Sequence, residues 1–135
     1  MPDIPDRPEY QSELFRKGLA IRREVLGADY VDGSLARAND FNAAFQQLTT
    51  EMAWGAIWSR PGLPRKLRSV LNIGMLVALN RGAELRLHLR AALTNGVTRD
   101  EIREILMQVA IYGGMPAAVD SFRIAREFFA EIDKA

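Results

Sequence analysis

An arginine, a glutamate and the single histidine of the chain stand at helical spacing in NRGAELRLHLRAAL, residues 80–93. Because an α-helix turns by about 100° per residue, Arg81, Glu84 and His88 fall on one face. We expect this face to lie in the middle of the inward-facing arc of the helix. A buried charge must be paired or hydrogen-bonded, so the three side chains need partners there.

This polar face has two interpretations. In the structural one, Glu84 pairs with Arg81, and His88 is a core histidine with satisfied hydrogen bonds. In the functional one, the three side chains serve an anionic substrate. The local charge favours the second, because residues 60–103 hold nine Arg or Lys and three Asp or Glu in a chain of net charge +1.

A second group of candidate residues lies in EMAWGAIWSRPGL, residues 51–63, which contains both tryptophans of the chain. At α-helical spacing, Glu51, Trp54 and Trp58 share a face. The tryptophans are either core residues or the wall of a pocket. Glu51 is either a surface acid or, against indole rings, an acid of raised pKa that delivers a proton. Tyr112, before two glycines, either points a hydroxyl into a cleft or marks a helix end.

Composition narrows the function classes. The 135 residues fit one domain with a sizeable core. A net charge of +1 argues against a nucleic-acid partner. With no cysteine and one histidine, thiol chemistry and histidine-rich metal sites are excluded. The N-terminal residues lack a signal-peptide pattern, and the apolar run 70–79 is too short for a membrane span. We expect a cytoplasmic protein without a membrane partner.

Hydrophobic periodicity and helix signals predict about six helices and no strand. A capping box at Asp6 and Glu9 predicts the first helix, which Gly27 ends, and the following segment 27–34 has turn composition. A stripe of apolar residues predicts a second helix over residues 39–58; its members are Phe41, Phe45, Leu48, Met52 and Ala56.

The C-terminal half has clearer boundaries. A helix over residues 65–79 is apolar on most faces, which is typical of the centre of a fold or of a subunit interface. Asn80 is expected to cap the next helix, and Gly96 to end it. Thr98 and Glu101 form a second capping box, and YGGMP, residues 112–116, separates that helix from the last one. The sequence therefore predicts an all-α fold.

Several spaced blocks together resemble the carboxymuconolactone decarboxylase family. They are Trp54-Gly55, Trp58 to Leu63, Arg68-Ser69, Glu84-Leu85 through His88, Asn95-Gly96 and Tyr112 to Ala118, with further similarity over residues 25–32. The resemblance implies one helical domain over residues 1–135, of the type shared with alkylhydroperoxidase D. The peroxidase branch of that superfamily needs a CxxC motif where this chain has Arg81 and Glu84, so thiol peroxidase activity is excluded. Val119 stands where many family members carry asparagine.

The resemblance also implies a reaction, the decarboxylation of 4-carboxymuconolactone to the enol-lactone of 3-oxoadipate in aromatic catabolism. This small anionic lactone supplies its own electron sink, the lactone carbonyl, so neither a metal nor an organic cofactor is expected. The protein must bind a dianion, stabilise an oxyanion and deliver one proton.

The same resemblance suggests roles for the candidate residues. Arg81 would bind one carboxylate bidentately, and Arg60 would hold the second. His88 would donate a hydrogen bond or the proton, and Glu84 would fix its tautomer. Trp54 and Trp58 would wall the pocket and Tyr112 would contact the substrate, with Glu51 as the alternative proton donor. The resemblance thus implies the catalytic residues His88, Arg81, Glu84 and Glu51. It implies the substrate-binding residues Trp54, Trp58, Arg60 and Tyr112.

Two other functions stay open: a related enzyme acting on another lactone or oxo acid, and a non-catalytic module for helical assembly. The apolar helix over residues 65–79 predicts a homo-oligomer, and the resemblance implies a trimer or a hexamer.

Overall fold

A computed structural model describes residues 4–135 and contains only helices in that range. Its seven α-helices are α1 (Glu13–Leu26), α2 (Ala28–Arg37), α3 (Ala43–Leu48), α4 (Arg65–Ala78), α5 (Gly82–Thr94), α6 (Arg99–Tyr112) and α7 (Met115–Asp133). A 3₁₀ turn, Pro8–Tyr10, precedes α1, and a π-helix, Thr49–Ile57, follows α3. The all-α prediction is therefore confirmed, with one α-helix more than expected.

The helices cluster into two compact units, Met1–Leu63 and Pro64–Ala135. The expectation of a single domain over residues 1–135 stays a prediction. No helix formed by residues 4–135 combines the length and the hydrophobicity that a membrane span requires.

The first unit begins differently from the prediction. The capping box at Asp6 and Glu9 does not form: Arg7 is the N-cap of the 3₁₀ turn, and Asp6 accepts a hydrogen bond from the side chain of Gln11 at 2.8 Å. The cap of α1 is Ser12, whose hydroxyl accepts a hydrogen bond from the backbone N–H of Phe15 at 3.0 Å. Gly27 ends α1 as predicted, with a φ of 93° that suits glycine.

Helix α2 occupies the segment for which the sequence predicted turns. Val31 and Leu35 are fully buried on one side of it. Asp32, also buried, accepts a hydrogen bond from Nε of Arg23 at 2.8 Å and forms an ion pair with that arginine. The turn prediction was wrong because packing and this ion pair outweigh the weak helix propensities of glycine, aspartate and serine.

The predicted helix over residues 39–58 forms in two parts. It begins at Ala43, since the side chains of Asn39 and Asn42 bond to nearby backbone N–H groups and hold a turn before it. After Leu48 the chain continues as the π-helix. Four members of the predicted apolar stripe are exposed: Phe41, Phe45, Leu48 and Met52.

Four helices, α4 to α7, build the second unit around one apolar core. Its buried members are Ile73, Val77, Leu85, Leu89, Ala92, Val97, Ile102, Leu106, Ala117, Ala125 and Phe128. The predicted capping box forms at the start of α6: Glu101 N–H bonds to Thr98 Oγ1 at 3.0 Å, and Thr98 N–H bonds to Glu101 Oε1 at 2.9 Å. Gly96 and Gly114 follow α5 and α6 with positive φ, as their predicted roles require.

The segment from α4 to the start of α5 differs from the prediction in two ways. Asn80 does not cap α5; it adopts a φ of 59°, and Arg81 occupies the N-cap position. An asparagine tolerates this left-handed conformation better than most residues, so Asn80 reverses the chain between α4 and α5. Helix α4 has nearly the predicted bounds, yet Leu67, Leu71, Met75 and Leu79 are exposed on its surface.

Candidate functional site

Helix α5 carries the three polar residues that the sequence placed on an inward face. Arg81 and Glu84 are instead exposed, and only His88 is half-buried. The inward placement was therefore wrong for two of the three. Arg81 lies before the first helical turn, with φ −102° and ψ 72°, so its side chain does not follow the helical period. The arc that faces the core is the apolar column Leu85, Leu89 and Ala92.

His88 has a ring nitrogen that lacks a partner. Nδ1 is buried and makes no hydrogen bond to any residue in the range 4–135. A buried polar atom without a partner costs free energy, and a ligand that bonds to it removes that cost. Burial lowers the pKa of His88, and the negative charge of Glu84 partly opposes this. The imidazole is thus biased toward its neutral form.

Glu84 acts on His88 through its charge. Within the described residues no hydrogen bond joins the two side chains. The suggestion that Glu84 fixes the tautomer of His88 therefore stays a prediction.

Trp54 and Trp58 lie on the π-helix of the first unit. They are 4% and 8% exposed, and their rings stack with centroids 4.8 Å apart and planes at 23°. The backbone N–H of Trp58 bonds to the carbonyl of Ala53, five residues earlier, at 2.9 Å. A π-helix has more residues per turn than an α-helix, and residues four apart lie on one side of it. Burial fits a core role, and their role as pocket wall stays a prediction.

The prediction that Glu51 shares the face of the two tryptophans assumed α-helical spacing. Because Glu51 lies in a π-helix, whose turn is wider, that count does not apply to it. Half-buried Glu51 lines a shallow depression of about 280 Å³ together with Ala44, Gln47, Leu48 and Met52. Its role as a proton donor stays a prediction.

The two remaining candidates lie at helix ends. Arg60 is exposed just after the π-helix. Tyr112 is the last residue of α6 and is 84% exposed, which fits the interpretation that it marks a helix end. Their substrate-binding roles stay predictions.

The sequence analysis missed Arg22, the one buried arginine among the described residues. Its Nη1 donates hydrogen bonds to Gln46 Oε1 at 3.0 Å and to Thr50 Oγ1 at 3.1 Å. A signal was available, because Arg22 lies at helical spacing from Gly18 and Val25, which both face the interior.

No cluster of three or more His, Cys, Asp or Glu side chains suited to a metal ion occurs within residues 4–135. The expectation that no cofactor is needed concerns the reaction and stays a prediction.

Comparison with known proteins identifies one matching family and several similar proteins. The model of the "Carboxymuconolactone decarboxylase family" matches residues 43–127. A 4-carboxymuconolactone decarboxylase of Acinetobacter baylyi is 47% identical over 120 residues, which cover 89% of this chain and 90% of that protein. A nitrosuccinic acid decarboxylase of Metarhizium robertsii is 41% identical over 119 residues, covering 88% and 83%. A 4-carboxymuconolactone decarboxylase of Pseudomonas putida is 40% identical over 45 residues, 33% of this chain.

Proposed function

Because the chain belongs to the carboxymuconolactone decarboxylase family, we propose that it is a carboxy-lyase that converts 4-carboxymuconolactone to the enol-lactone of 3-oxoadipate. One observation carries the proposal: the 47% identity to a protein of that name extends over about nine-tenths of both chains. The proposed place of the reaction is the protocatechuate branch of aromatic degradation, in the cytoplasm.

The reaction is simple in its electron flow. The bond between the ring carbon next to the ring oxygen and its carboxylate breaks, and CO2 leaves. The electron pair moves through the ring double bond to the lactone carbonyl oxygen, which becomes the oxyanion of a dienolate. Protonation of this dienolate on carbon gives the enol-lactone. The protein therefore needs a donor for the oxyanion and a source for one proton.

His88 suits the first of these tasks. A neutral imidazole has one N–H group and can donate one hydrogen bond. Burial favours this neutral form of His88 by lowering its pKa. A neutral imidazole is a weak acid, however, so the same shift argues for Glu51 as the proton donor. Binding of a dianion would raise the pKa of His88, which leaves proton delivery by His88 as the alternative.

Arg81 supports recognition of the substrate. Its side chain is exposed, and it stands at the N-terminal end of the helix that carries His88. A guanidinium in this position is available for a bidentate contact with a carboxylate. Arg60, Tyr112 and the two tryptophans are proposed as further substrate contacts.

A second candidate function follows from the relative in Metarhizium robertsii, named as a nitrosuccinic acid decarboxylase. Nitrosuccinic acid also has two carboxylates, and its nitro group accepts an electron pair as the lactone carbonyl does. One site of the kind proposed here therefore suits either acid. Val119, which departs from the pattern of many family members, adds weight to a related substrate.

Supplying each acid separately to the purified protein tests both functions. Decarboxylation of the lactone is followed by the loss of its ultraviolet absorbance and by the release of CO2. A kcat/KM that is higher for the lactone than for nitrosuccinate supports the first candidate, and a higher value for nitrosuccinate supports the second. If neither acid is decarboxylated, both candidates fail, and the chain is either an enzyme for another lactone or oxo acid or a non-catalytic assembly module.

The chain is further proposed to be a homo-oligomer, a trimer or a hexamer. Leu67, Leu71 and Met75 recur every four residues on α4, and each is about half-exposed. A contiguous apolar row of this kind is typical of an interface. Light scattering at micromolar concentration should give a mass that is a multiple of 15.1 kDa. A clean monomer would contradict the proposal.

A further inference from the structure

The guanidinium of Arg22 connects two successive helices of the first unit. Arg22 lies on α1 and is 6% exposed. Its Nη1 donates to Gln46 on α3 at 3.0 Å and to Thr50 on the π-helix at 3.1 Å. The α-helix changes into the π-helix between these two acceptors, so a single side chain holds both sides of the junction.

Stability does not account for an arginine at this position. Both acceptors are neutral side chains, and no described carboxylate forms an ion pair with Arg22. Burial lowers the pKa of Arg22, which reflects the cost of holding the charge there. A methionine would fill similar space without the buried charge, at the cost of leaving the hydroxyl of Thr50 without its donor. Buried charges of this kind are retained in some proteins because they specify one conformation.

The conformation that Arg22 would specify is the π-helix. Such helices are rare and recur at functional sites, and this one determines how Trp54 and Trp58 meet. In an α-helix, residues four apart are offset by about 40° around the axis. In the π-helix the two indoles stack at 4.8 Å. A return to α-helical geometry after Thr49 would turn Trp58 about the helix axis relative to Trp54 and so change how the two rings overlap.

We propose that Arg22 is a positioning residue that holds the junction between α3 and the π-helix and thereby sets the stacked Trp54–Trp58 pair. The expected effect of Arg22 on catalysis rests on the proposed function, in which the tryptophan pair lines the substrate pocket. The expected effect of Arg22 on the indole stack is independent of that function.

The test compares Arg22→Met with the control Arg16→Met, which removes an exposed arginine from the same helix. Circular dichroism of the two coupled indoles reports the stack, since the chain contains no other tryptophan. We expect the exciton couplet to change in sign or intensity in Arg22→Met and to be kept in the control. The melting temperature should fall only modestly, because the buried hydroxyl of Thr50 loses its donor while an unpaired buried charge is removed. The value of kcat should fall by up to about 10²-fold because the pocket is misplaced.

Two results would overturn the proposal: an unchanged couplet in folded Arg22→Met, or a lower melting temperature with a normal couplet and normal kcat. If Arg22→Met does not fold, Thr50→Val provides a second test, because it removes one acceptor with little change of volume. This variant should weaken the couplet, and an unchanged couplet contradicts the proposal. Failure of the proposed function gives a different pattern, in which the wild-type protein decarboxylates neither acid while the couplet still depends on Arg22.

Discussion

Gly18 of α1 lies against the backbone of Thr50 in the π-helix. A β-carbon built on Gly18 would stand 1.9 Å from the carbonyl oxygen of Thr50 and 2.8 Å from the backbone nitrogen of Gly55. Neither atom can swing aside as a flexible side chain does, because both belong to the main chain. The two helices pack at this distance only because position 18 is a glycine.

Gly18→Ala should therefore destabilise the protein. Overpacking of a tight contact costs about 1–3 kcal/mol, and a backbone clash belongs at the upper end of that range. Urea denaturation followed by tryptophan fluorescence measures the change in the free energy of unfolding. The matched control is Gly74→Ala in α4, where a β-carbon would meet nothing within 4 Å. That variant should gain about 0.5–1 kcal/mol from helix propensity, and equal effects of the two substitutions would contradict the expectation.

The sequence predicted best those features that are determined by residues close together in the chain. Gly27, Gly96 and the Thr98–Glu101 capping box depend on a few neighbouring residues, and all three occur as predicted. Helix α2 depends instead on the burial of Val31 and Leu35. Those contacts are with other parts of the chain, so local turn composition gave the wrong result.

The candidate site shows the same limit. The sequence spacing predicted functional faces for Arg81 and Glu51 because each residue was assumed to lie in an unbroken α-helix. Arg81 lies before the first turn of α5, and Glu51 lies in a π-helix. Either irregularity rotates a side chain away from its counted position. The position of His88, in the middle of a regular α-helix, was predicted better: it is more buried than either Arg81 or Glu84.

Replacement of Arg81 should weaken substrate binding. A charge-assisted hydrogen bond contributes about 1.5–3 kcal/mol, so Arg81→Met should raise KM by about 10- to 100-fold if the bond forms equally in ground and transition states. The control Arg90→Met removes another exposed arginine of α5, one that lies over the ring of Phe128. Steady-state kinetics on the lactone distinguish the two variants. An unchanged KM in Arg81→Met would remove this residue from the substrate site.

Catalysis should not require a metal ion, because the lactone carbonyl itself accepts the electron pair. Exhaustive dialysis against a chelator should leave kcat unchanged when compared with a sample dialysed against buffer alone. Metal analysis of both samples completes the measurement. Activity that is lost on chelation and restored by one divalent ion would overturn the proposed electron flow.

The pKa of His88 should lie below 6.5, since burial is the larger influence on it. Because the folded state disfavours the protonated imidazole, the stabilising contribution is complete above the unfolded pKa and is lost as pH falls through the folded pKa. Nuclear magnetic resonance can follow this titration without ambiguity, as the chain has one histidine. In Glu84→Gln the pKa should fall further, because the charge that raises it is gone. A rise in that variant would contradict the stated causes.

His88→Gln distinguishes a catalytic imidazole from a packed one. Glutamine keeps some hydrogen-bonding capacity and much of the volume, so the half-buried position should still fold. If His88 stabilises the oxyanion or transfers the proton, kcat should fall by about 10²–10⁴-fold. If His88 only packs, the melting temperature should fall while kcat per folded molecule stays near that of the wild-type protein. Kinetics, circular dichroism and a melting curve on the same preparation separate these results. Normal turnover in a well-folded variant would exclude His88 as the catalytic group and would shift both tasks to Glu51.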